Sequence, residues 1–201
     1  MARPAKFTND QVLDASLTLV HDAGASGLTM TGVAEALGAP SGSIYHRFSS
    51  RDVLVAELWL RSVERFQTGL FAAMQNPDPL AAAVDAARHV VHWSRNDLDH
   101  ARLLLVHRSR DLLSDGWPDE VIERNDAQRR LLKHEMNNLF ERLGAHDAPG
   151  RRRARFAIVS IPYGAVRPAL GAGTRPEPEL EELVAEAAHA ILSELVERTN
   201  K

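Results

Sequence analysis

The amino-acid sequence predicts an all-α protein of about nine helices, and three observations support this fold class. Apolar residues recur at helical spacing along most of the 201-residue chain. Glycine and proline residues divide the chain into segments of helical length. No run of alternating β-branched residues is long enough to indicate a sheet.

The first two predicted helices lie near the N-terminus. One covers about residues 9–23, where Val12, Ala15, Leu19 and Ala23 share a face and a Gly-Ala-Ser-Gly segment follows. The second has both a start and a stop signal. Thr29 is placed to accept a hydrogen bond from an orphaned backbone N–H, and Gly38 is placed to adopt the left-handed conformation that ends a helix. The apolar face of this helix consists of Met30, Val33, Ala34 and Leu37.

A third, short helix is predicted to begin at Pro40, whose fixed φ suits a first helical turn. Ile44 and Phe48 form its small apolar face, so most of its other residues are free to face outward. A helix that buries so little of itself is typical of the second helix of a helix-turn-helix, which enters the DNA major groove. The outward-facing residues are Ser41, Gly42, Ser43, Tyr45, His46 and Arg47.

Six further helices are predicted behind this motif. The first of them is about 36 Å long at 1.5 Å per residue. Pro162 falls inside a later helix and is expected to kink it, because proline has no N–H to donate. The six cover about residues 50–74, 80–96, 98–113, 118–143, 151–170 and 179–198.

Composition and charge narrow the class of protein. A content of 44% hydrophobic and 25% charged residues is ordinary for a soluble globular protein. No stretch approaches the ~20 apolar residues of a membrane span, and the N-terminus lacks the apolar core of a secretory signal, so we expect a cytoplasmic protein. The absence of cysteine excludes disulfides, thiol catalysis and thiolate metal sites. With a net charge of −3, DNA binding must depend on where the charges lie, and we expect modest non-specific affinity.

The motif resembles the TetR family of bacterial repressors. The resemblance is carried by Val33–Gly38, by Gly42-Ser43-Ile44-Tyr45-His46-Arg47-Phe48 and by Arg51-Asp52-Val53-Leu54. It covers roughly the first quarter of the chain. It implies a DNA-binding domain over residues 1–52, with the motif at about 29–48, and a helical ligand-binding and dimerisation domain over residues 53–201.

The resemblance also implies roles for individual residues. Tyr45 and His46 correspond to residues that hydrogen-bond phosphates, and Arg51 corresponds to a basic residue at the start of the long helix. Thr29 would reach the other side of the groove, with Thr31 beside it. The alternative for Tyr45 is a half-buried packing aromatic, and for His46 it is ordinary solvated surface.

Base contacts would come from the leading end of the short helix, at Ser41, Gly42 and Ser43. Many family members have Lys or Arg where this chain has Ser41, so the bidentate guanine contact of such a residue is missing. Arg47 could take part of that role, or be ordinary solvated surface. Arg3 and Lys6 are expected to form a basic arm that strengthens binding.

Behind the motif, the chain is richer in apolar residues than a support for the motif requires. Apolar walls with a few polar groups are what a small-molecule site needs, and the resemblance implies an inducer-binding body. The alternative for each aromatic or Met residue is ordinary core. The candidate ligand-binding residues are Trp59, Phe66, His89, Trp93, Leu104, His107, Met136, Phe140, Tyr163 and Arg167.

The last two predicted helices carry a wider apolar stripe than one neighbouring helix covers, which favours packing against a second subunit. A two-fold dimer would place two reading helices about 34–36 Å apart. The candidate dimer-interface residues are Phe156, Val159, Leu183, Ala187, Ile191 and Leu195.

Together these features predict a ligand-responsive regulator, a repressor that a small apolar or amphipathic molecule releases from a palindromic operator. An enzyme is disfavoured because the chain has no Gly-x-Ser-x-Gly elbow and no P-loop. His89 and His92 could share a metal, but without a well-spaced carboxylate set we expect neither metal nor cofactor. An interaction module that has lost DNA binding is the remaining alternative.

Overall fold

The computed structural model describes residues 7–105 and 117–199. All regular secondary structure in these ranges is helical, which confirms the predicted fold class. One predicted helix, over residues 151–170, is divided into an α-helix, a π-helical segment and a second α-helix. The elements are α1 (Asn9–Gly27), α2 (Met30–Leu37), α3 (Ser41–Tyr45), α4 (Arg51–Met74), α5 (Pro79–Asn96), α6 (Leu98–Leu105), α7 (Asp119–Arg142), α8 (Ala148–Arg155), the π segment (Phe156–Ser160), α9 (Ile161–Gly171) and α10 (Leu180–Thr199).

The described residues form two compact units. The first comprises residues 7–62 and 117–125, and the second comprises residues 63–105 and 126–199. Helices α4 and α7 therefore contribute residues to both units. The boundary near residue 52 between a DNA-binding domain and a ligand-binding and dimerisation domain stays a prediction.

In the first unit, α1 packs against α2 and α2 packs against α3. The buried face of α1 includes Val12, Leu13, Leu17 and Val20. This face is rotated from the predicted one, because the larger Leu13 and Leu17 side chains remove more apolar area from water than the predicted Ala15 does. At the C-terminal end of α1, Gly24 leaves the helical conformation with φ of 71°, as the glycine-rich segment predicts.

Helix α2 has the predicted caps at both ends. The Gly32 N–H donates to Thr29 Oγ1 over 3.0 Å, which satisfies one of the orphaned N–H groups. Gly38 adopts the left-handed conformation with φ of 57°, and its N–H donates to the carbonyl oxygens of Ala34 and Glu35. The turn that follows is therefore fixed in direction before Pro40 starts the next helix.

The second unit is arranged around α5, which packs against α6, α9, α10 and the π segment. Alanine and valine residues on several sides of α5 allow this close approach, among them Ala83, Ala87 and Val91, which are fully buried. The core also contains Phe140 and Leu192, from α7 and α10.

The helix break expected at Pro162 takes the form of a π turn. The Ile161 N–H donates to the Phe156 carbonyl oxygen, five residues back. Pro162 has no N–H with which to continue the normal ladder, so the helix widens by one residue just before it and resumes as α9.

We predict that Gly69→Ala destabilises the protein. A Cβ at Gly69 would lie 2.2 Å from Cε1 of His89, so the ring or the helix has to move. Overpacking of this kind costs about 1–3 kcal/mol, which exceeds the ~1 kcal/mol gain in helix propensity. Urea unfolding would measure the change. A Cβ at Gly42 meets nothing within 4 Å, so Gly42→Ala is the matched control and should not be destabilised. An unchanged midpoint for Gly69→Ala would contradict the prediction.

Candidate nucleic-acid interface

Helix α3 is short and is anchored from behind by two residues. Ile44 and Phe48 are almost completely buried. The side chains of Tyr45 and His46 lie on the other side and are exposed, Tyr45 by 51%. Since little of α3 contacts the rest of the chain, most of its surface is free to meet a partner.

The leading end of α3 combines one fixed side chain with open space. The Ser43 hydroxyl donates to the Pro40 carbonyl oxygen over 2.7 Å, so it holds the turn together. Ser41 is exposed, and a Cβ at Gly42 would meet no atom of the described residues within 4 Å. A DNA backbone or base edge can therefore approach Ser41 and Gly42 closely.

Arg47 is occupied by contacts within the chain. Its guanidinium donates to Asn9 Oδ1 over 2.6 Å and also to the Phe7 carbonyl oxygen. These bonds tie the end of α3 to the start of α1. Arg47 therefore positions α3 in this structure. Sequence reasoning missed Asn9 as its partner, because 38 residues separate the two.

Arg51 is also used within the chain. Its Nε donates to the Leu28 carbonyl oxygen over 2.9 Å, and Nη1 donates to Asp52 Oδ1 over 3.1 Å. The first bond ties the start of α4 to the residue before the α2 cap. About a quarter of the Arg51 side chain stays exposed.

Thr29 and Thr31 are exposed at the start of α2, with their hydroxyl oxygens 3.3 Å apart. Thr29 thus combines its capping role with an accessible position. Arg3 and Lys6 lie outside the described residues, as does His107.

Several candidate ligand-binding residues come together in the second unit. The Phe66 ring lies 5.3 Å from the His89 ring and 5.0 Å from the Trp93 ring. Met136 and Phe140 are buried in the core of the same unit, and Leu104 packs against that core.

The other candidates lie elsewhere. Trp59 belongs to the first unit, where its ring meets that of Trp117 edge-on at 6.4 Å. Tyr163 is exposed and its hydroxyl donates to the Leu105 carbonyl oxygen over 3.2 Å. Arg167 is exposed. Trp59, Tyr163 and Arg167 are thus not part of the Phe66, His89 and Trp93 cluster.

His89 is held in a defined state by its surroundings. Its Nε2 lies 3.0 Å from the Phe66 carbonyl oxygen, an acceptor, so Nε2 carries the proton. Burial lowers the pKa of His89, with a smaller contribution from nearby His92, while the hydrogen bond to Phe66 partly opposes the shift. The ring is therefore neutral near pH 7.

His92, the other member of the histidine pair, points to different partners. Its Nδ1 lies 3.5 Å from Glu181 Oε2, and its Nε2 lies 2.9 Å from the Asn96 amide nitrogen. Within residues 7–105 and 117–199, no group of three or more His, Asp or Glu residues is placed to hold a metal ion.

The candidate dimer residues divide into exposed and buried sets. Phe156 and Leu183 are 54% and 58% exposed, and Val159 is also exposed. Ala187 and Ile191 are half-buried. Leu195 is buried in the core of its own chain, because it shares a face of α10 with Leu192 rather than with Leu183. It is therefore not available to a second subunit in this structure.

One buried polar residue was missed by the sequence reasoning. Gln67 lies on the buried face of α4 with Leu70 and Met74, at the spacing i, i+3, i+7. A glutamine at a position where the helical period requires an apolar residue is a signal that the sequence does contain.

The capped α2, the fixed turn and the anchored α3 define a helix-turn-helix protein. Residues 12–58 match the family model described as bacterial regulatory proteins, tetR family. This match confirms the family resemblance found in the sequence, over the segment that contains the helix-turn-helix.

A repressor and two solved structures illustrate the similarity. The HTH-type transcriptional repressor KstR2 of Mycolicibacterium smegmatis is 27% identical over a match that covers 61% of this chain. The match spans 60% of that curated relative's length. A tetR-family regulatory protein from Rhodococcus RHA1 has a TM-score of 0.70 at 15% identity, with 96% of this chain and 98% of that chain covered. The fatty acid degradation regulator FadR from Bacillus halodurans has a TM-score of 0.65 at 17% identity, with 96% of each chain covered. At such identities the two structures establish the fold alone.

No described helix combines the length and the apolar character that a membrane span requires.

We predict that His89 makes the protein less stable in mild acid. The folded state holds the pKa of His89 below the ordinary value near 6.5, so the unfolded chain binds more protons as the pH falls below 6.5. The contribution of neutral His89 to the free energy of unfolding is therefore fully present above pH 6.5. It declines as the pH falls from 6.5 toward the pKa of His89 in the folded state. Urea unfolding at pH 7.5 and 5.5 should show a smaller loss for His89→Gln than for the wild type. His134→Gln, at an exposed histidine, should lose as much as the wild type. Equal losses in all three proteins would contradict the prediction.

Proposed function

We propose that this protein is a DNA-binding transcriptional repressor that grips a palindromic operator as a homodimer and leaves it when a small apolar or amphipathic molecule binds the second unit. The observation that carries the proposal is the presentation of α3, which buries Ile44 and Phe48 and leaves Tyr45 and His46 facing outward. A target in the bacterial chromosome would place the protein in the cytoplasm. The proposal includes no catalytic step.

The local charge around α3 supports a nucleic-acid partner although the whole chain is acidic. Residues 36–51 contain Arg47 and Arg51 and no Asp or Glu, whereas the net charge of the chain is −3. The charged side chains within this segment are thus all basic, and phosphates would meet no carboxylate from it. Thr29, Tyr45 and His46 would bond phosphates, and Ser41, Gly42 and Ser43 would lie nearest the bases.

An exposed apolar stripe supports dimerisation. Phe156, Val159 and Tyr163 follow one another at i, i+3 and i+7 and are all exposed, as is Leu183 on α10. Large apolar side chains clustered on one surface typically mark an interface. A second copy of the same surface would cover them in a two-fold arrangement.

The effector would act by binding one conformation better than another. A difference in binding free energy of about 1–3 kcal/mol is enough to couple two sites. Helices α4 and α7 contribute residues to both units, so they are the segments through which we expect such coupling to act. The names of KstR2, a repressor, and FadR, a fatty acid degradation regulator, are consistent with repression controlled by an apolar molecule.

We predict that Tyr45→Ala weakens operator binding by about tenfold or more, because each subunit loses a phosphate hydrogen bond worth about 1 kcal/mol. Gel-shift titration on DNA from upstream of the protein's own gene would measure the change. Tyr45→Phe, which loses the hydroxyl alone, should show most of the loss. His46→Ala should also weaken binding, whereas His134→Ala, at an exposed histidine on α7, should not. If wild type and Tyr45→Ala bind this DNA equally, α3 is not the reading helix. No binding by the wild type would favour an interaction module.

We predict that Phe156→Glu converts a dimer into a monomer and lowers operator affinity. A carboxylate at this position would have to be buried unpaired in the two-fold interface, at a cost of several kcal/mol. Sedimentation velocity would measure the oligomeric state. Leu131→Glu is the matched control, because Leu131 is 44% exposed but lies on α7, whereas the stripe lies on the π segment, α9 and α10. A wild-type protein that sediments as a monomer, or a Phe156→Glu variant that stays dimeric, would overturn the dimer assignment.

A further inference from the structure

Charged residues are separated by sign over the last helices of the second unit. Residues 151–171, which run from α8 through the π segment and α9, contain five arginines and no Lys, Asp or Glu. Residues 177–196, which form most of α10 and the turn before it, contain six glutamates and no Lys, Arg or Asp. The whole chain has 24 Lys and Arg against 27 Asp and Glu, so this separation is a local feature. We call the two segments the basic half and the acidic half.

Contacts within the chain use part of these charges. Arg153 Nη1 donates to Glu194 Oε2 over 2.6 Å, which joins the two halves, and Arg151 donates to a carboxylate of α7. Glu181 and Glu182 pair with arginines of α5 at 3.3 and 3.1 Å. These pairs account for the positions of the two halves in the folded chain.

Three charges of each sign remain, and all six side chains are exposed. None of the six side chains forms an ion pair or a hydrogen bond with another residue of the described ranges. They are Arg152, Arg155 and Arg167 in the basic half and Glu177, Glu179 and Glu186 in the acidic half.

The exposed apolar residues lie between these charges along the chain. In the basic half, Phe156 and Val159 lie between Arg155 and Arg167. In the acidic half, Leu183, which is 58% exposed, lies between Glu179 and Glu186. An apolar centre bordered by polar and charged groups is the usual composition of a protein–protein interface.

The two halves form one continuous surface. Helix α10 packs against α8, the π segment and α9, and the Arg153–Glu194 ion pair spans the junction between α8 and α10. Phe156 comes three residues after Arg153, and the exposed Ala190 comes four residues before Glu194. Residues at these spacings are neighbours on a helix surface. The exposed side chains of the two halves therefore flank the same ion pair.

We propose that a second copy of the chain covers this surface with the halves exchanged, so that the basic half of each subunit lies against the acidic half of its partner. The dimer itself rests on the proposed function, and the inference adds the charge pairing that selects the partner. In a two-fold interface every contact occurs twice, so three unpaired cations and three unpaired anions of each subunit are compensated together. Basic half against basic half would instead bring arginines together without any carboxylate between them.

This charge pattern favours a second copy over a polyanionic partner. The arginines and Phe156 alone would suit an anionic membrane surface or a nucleic acid. The acidic half lies beside them, however, and its glutamates would repel either polyanion. A surface that carries both signs in separate halves is complementary to itself. Its charges therefore determine which chain is accepted more than how tightly it binds.

The test uses two double variants of the full-length protein. One reverses the basic half (Arg152→Glu with Arg155→Glu), and the other reverses the acidic half (Glu179→Arg with Glu186→Arg). We expect each variant alone to have a dimer dissociation constant about tenfold or more above that of the wild type, because two repulsive contacts replace two attractive ones. Sedimentation equilibrium would measure the constants. Raising the salt from about 50 mM to about 500 mM NaCl should reduce the difference, because ions screen exposed charges.

An equimolar mixture of the two variants is the decisive measurement. In their heterodimer, one contact joins two reversed halves and the other joins two unchanged halves, so opposite signs meet in both. Native mass spectrometry should therefore show heterodimer well above its random share, with an affinity close to that of the wild type. This recovery would also show that both variants are folded. Arg129→Glu with Arg130→Glu is the matched control, because both arginines are exposed on α7, and it should dimerise like the wild type.

The outcomes separate this inference from the proposed dimer. If the wild type is a dimer and both reversed variants dimerise equally well, the charges do not select the partner and the inference is wrong. It is also wrong if the mixture shows no excess of heterodimer, or if the arginine reversal tightens the dimer, since basic halves would then face each other. A monomeric wild type would refute the dimer of the proposed function as well.

Discussion

The burial of Ile44 and Phe48 is the constraint on which the reading surface depends. Helix α3 has only five residues, fewer than an isolated helix needs to be stable in water. Its conformation is therefore held by two apolar anchors on one side and by the turn that Gly38 and Pro40 fix before it. Because the anchors are only four residues apart, the opposite side stays exposed, and with it Tyr45 and His46. The same packing that stabilises α3 thus determines which side chains a DNA duplex could meet.

Arg47 and Arg51 use their charged groups for hydrogen bonds that orient helices within the chain. Each guanidinium donates to a backbone carbonyl of a distant segment, Arg47 to Phe7 and Arg51 to Leu28. Hydrogen bonds of a charged donor are among the stronger ones in a protein, so these contacts hold α3 and the start of α4 against α1 and the turn before α2. In a chain of net charge −3, the proposed DNA binding would depend more on this orientation than on a general attraction to phosphates.

Much of the fold could be predicted from signals in adjacent residues, whereas features that depend on contacts between distant residues could not. The caps at Thr29 and Gly38 depend on a few adjacent residues, and both are confirmed. The buried face of a helix was less predictable. Helix α1 buries Leu13 more completely than Ala15, and Leu195 of α10 is buried in the core. Which face of a helix is buried depends on neighbours that are remote in sequence. The partners of Arg47 lie 38 and 40 residues away, and no periodic pattern in the sequence predicts contacts over such separations. The roles of the candidate site residues stay predictions, although Gln67 at an apolar position was visible in the sequence.

The second unit exposes large apolar side chains that stability alone would bury. Phe156 and Leu183 face solvent. Their exposure costs free energy in the isolated chain, and a second copy of the chain, the partner proposed for them, would recover it. Dimerisation would therefore add to the stability of the folded state in proportion to its occupancy, and an effector that binds one conformation better than another would shift the equilibrium between them.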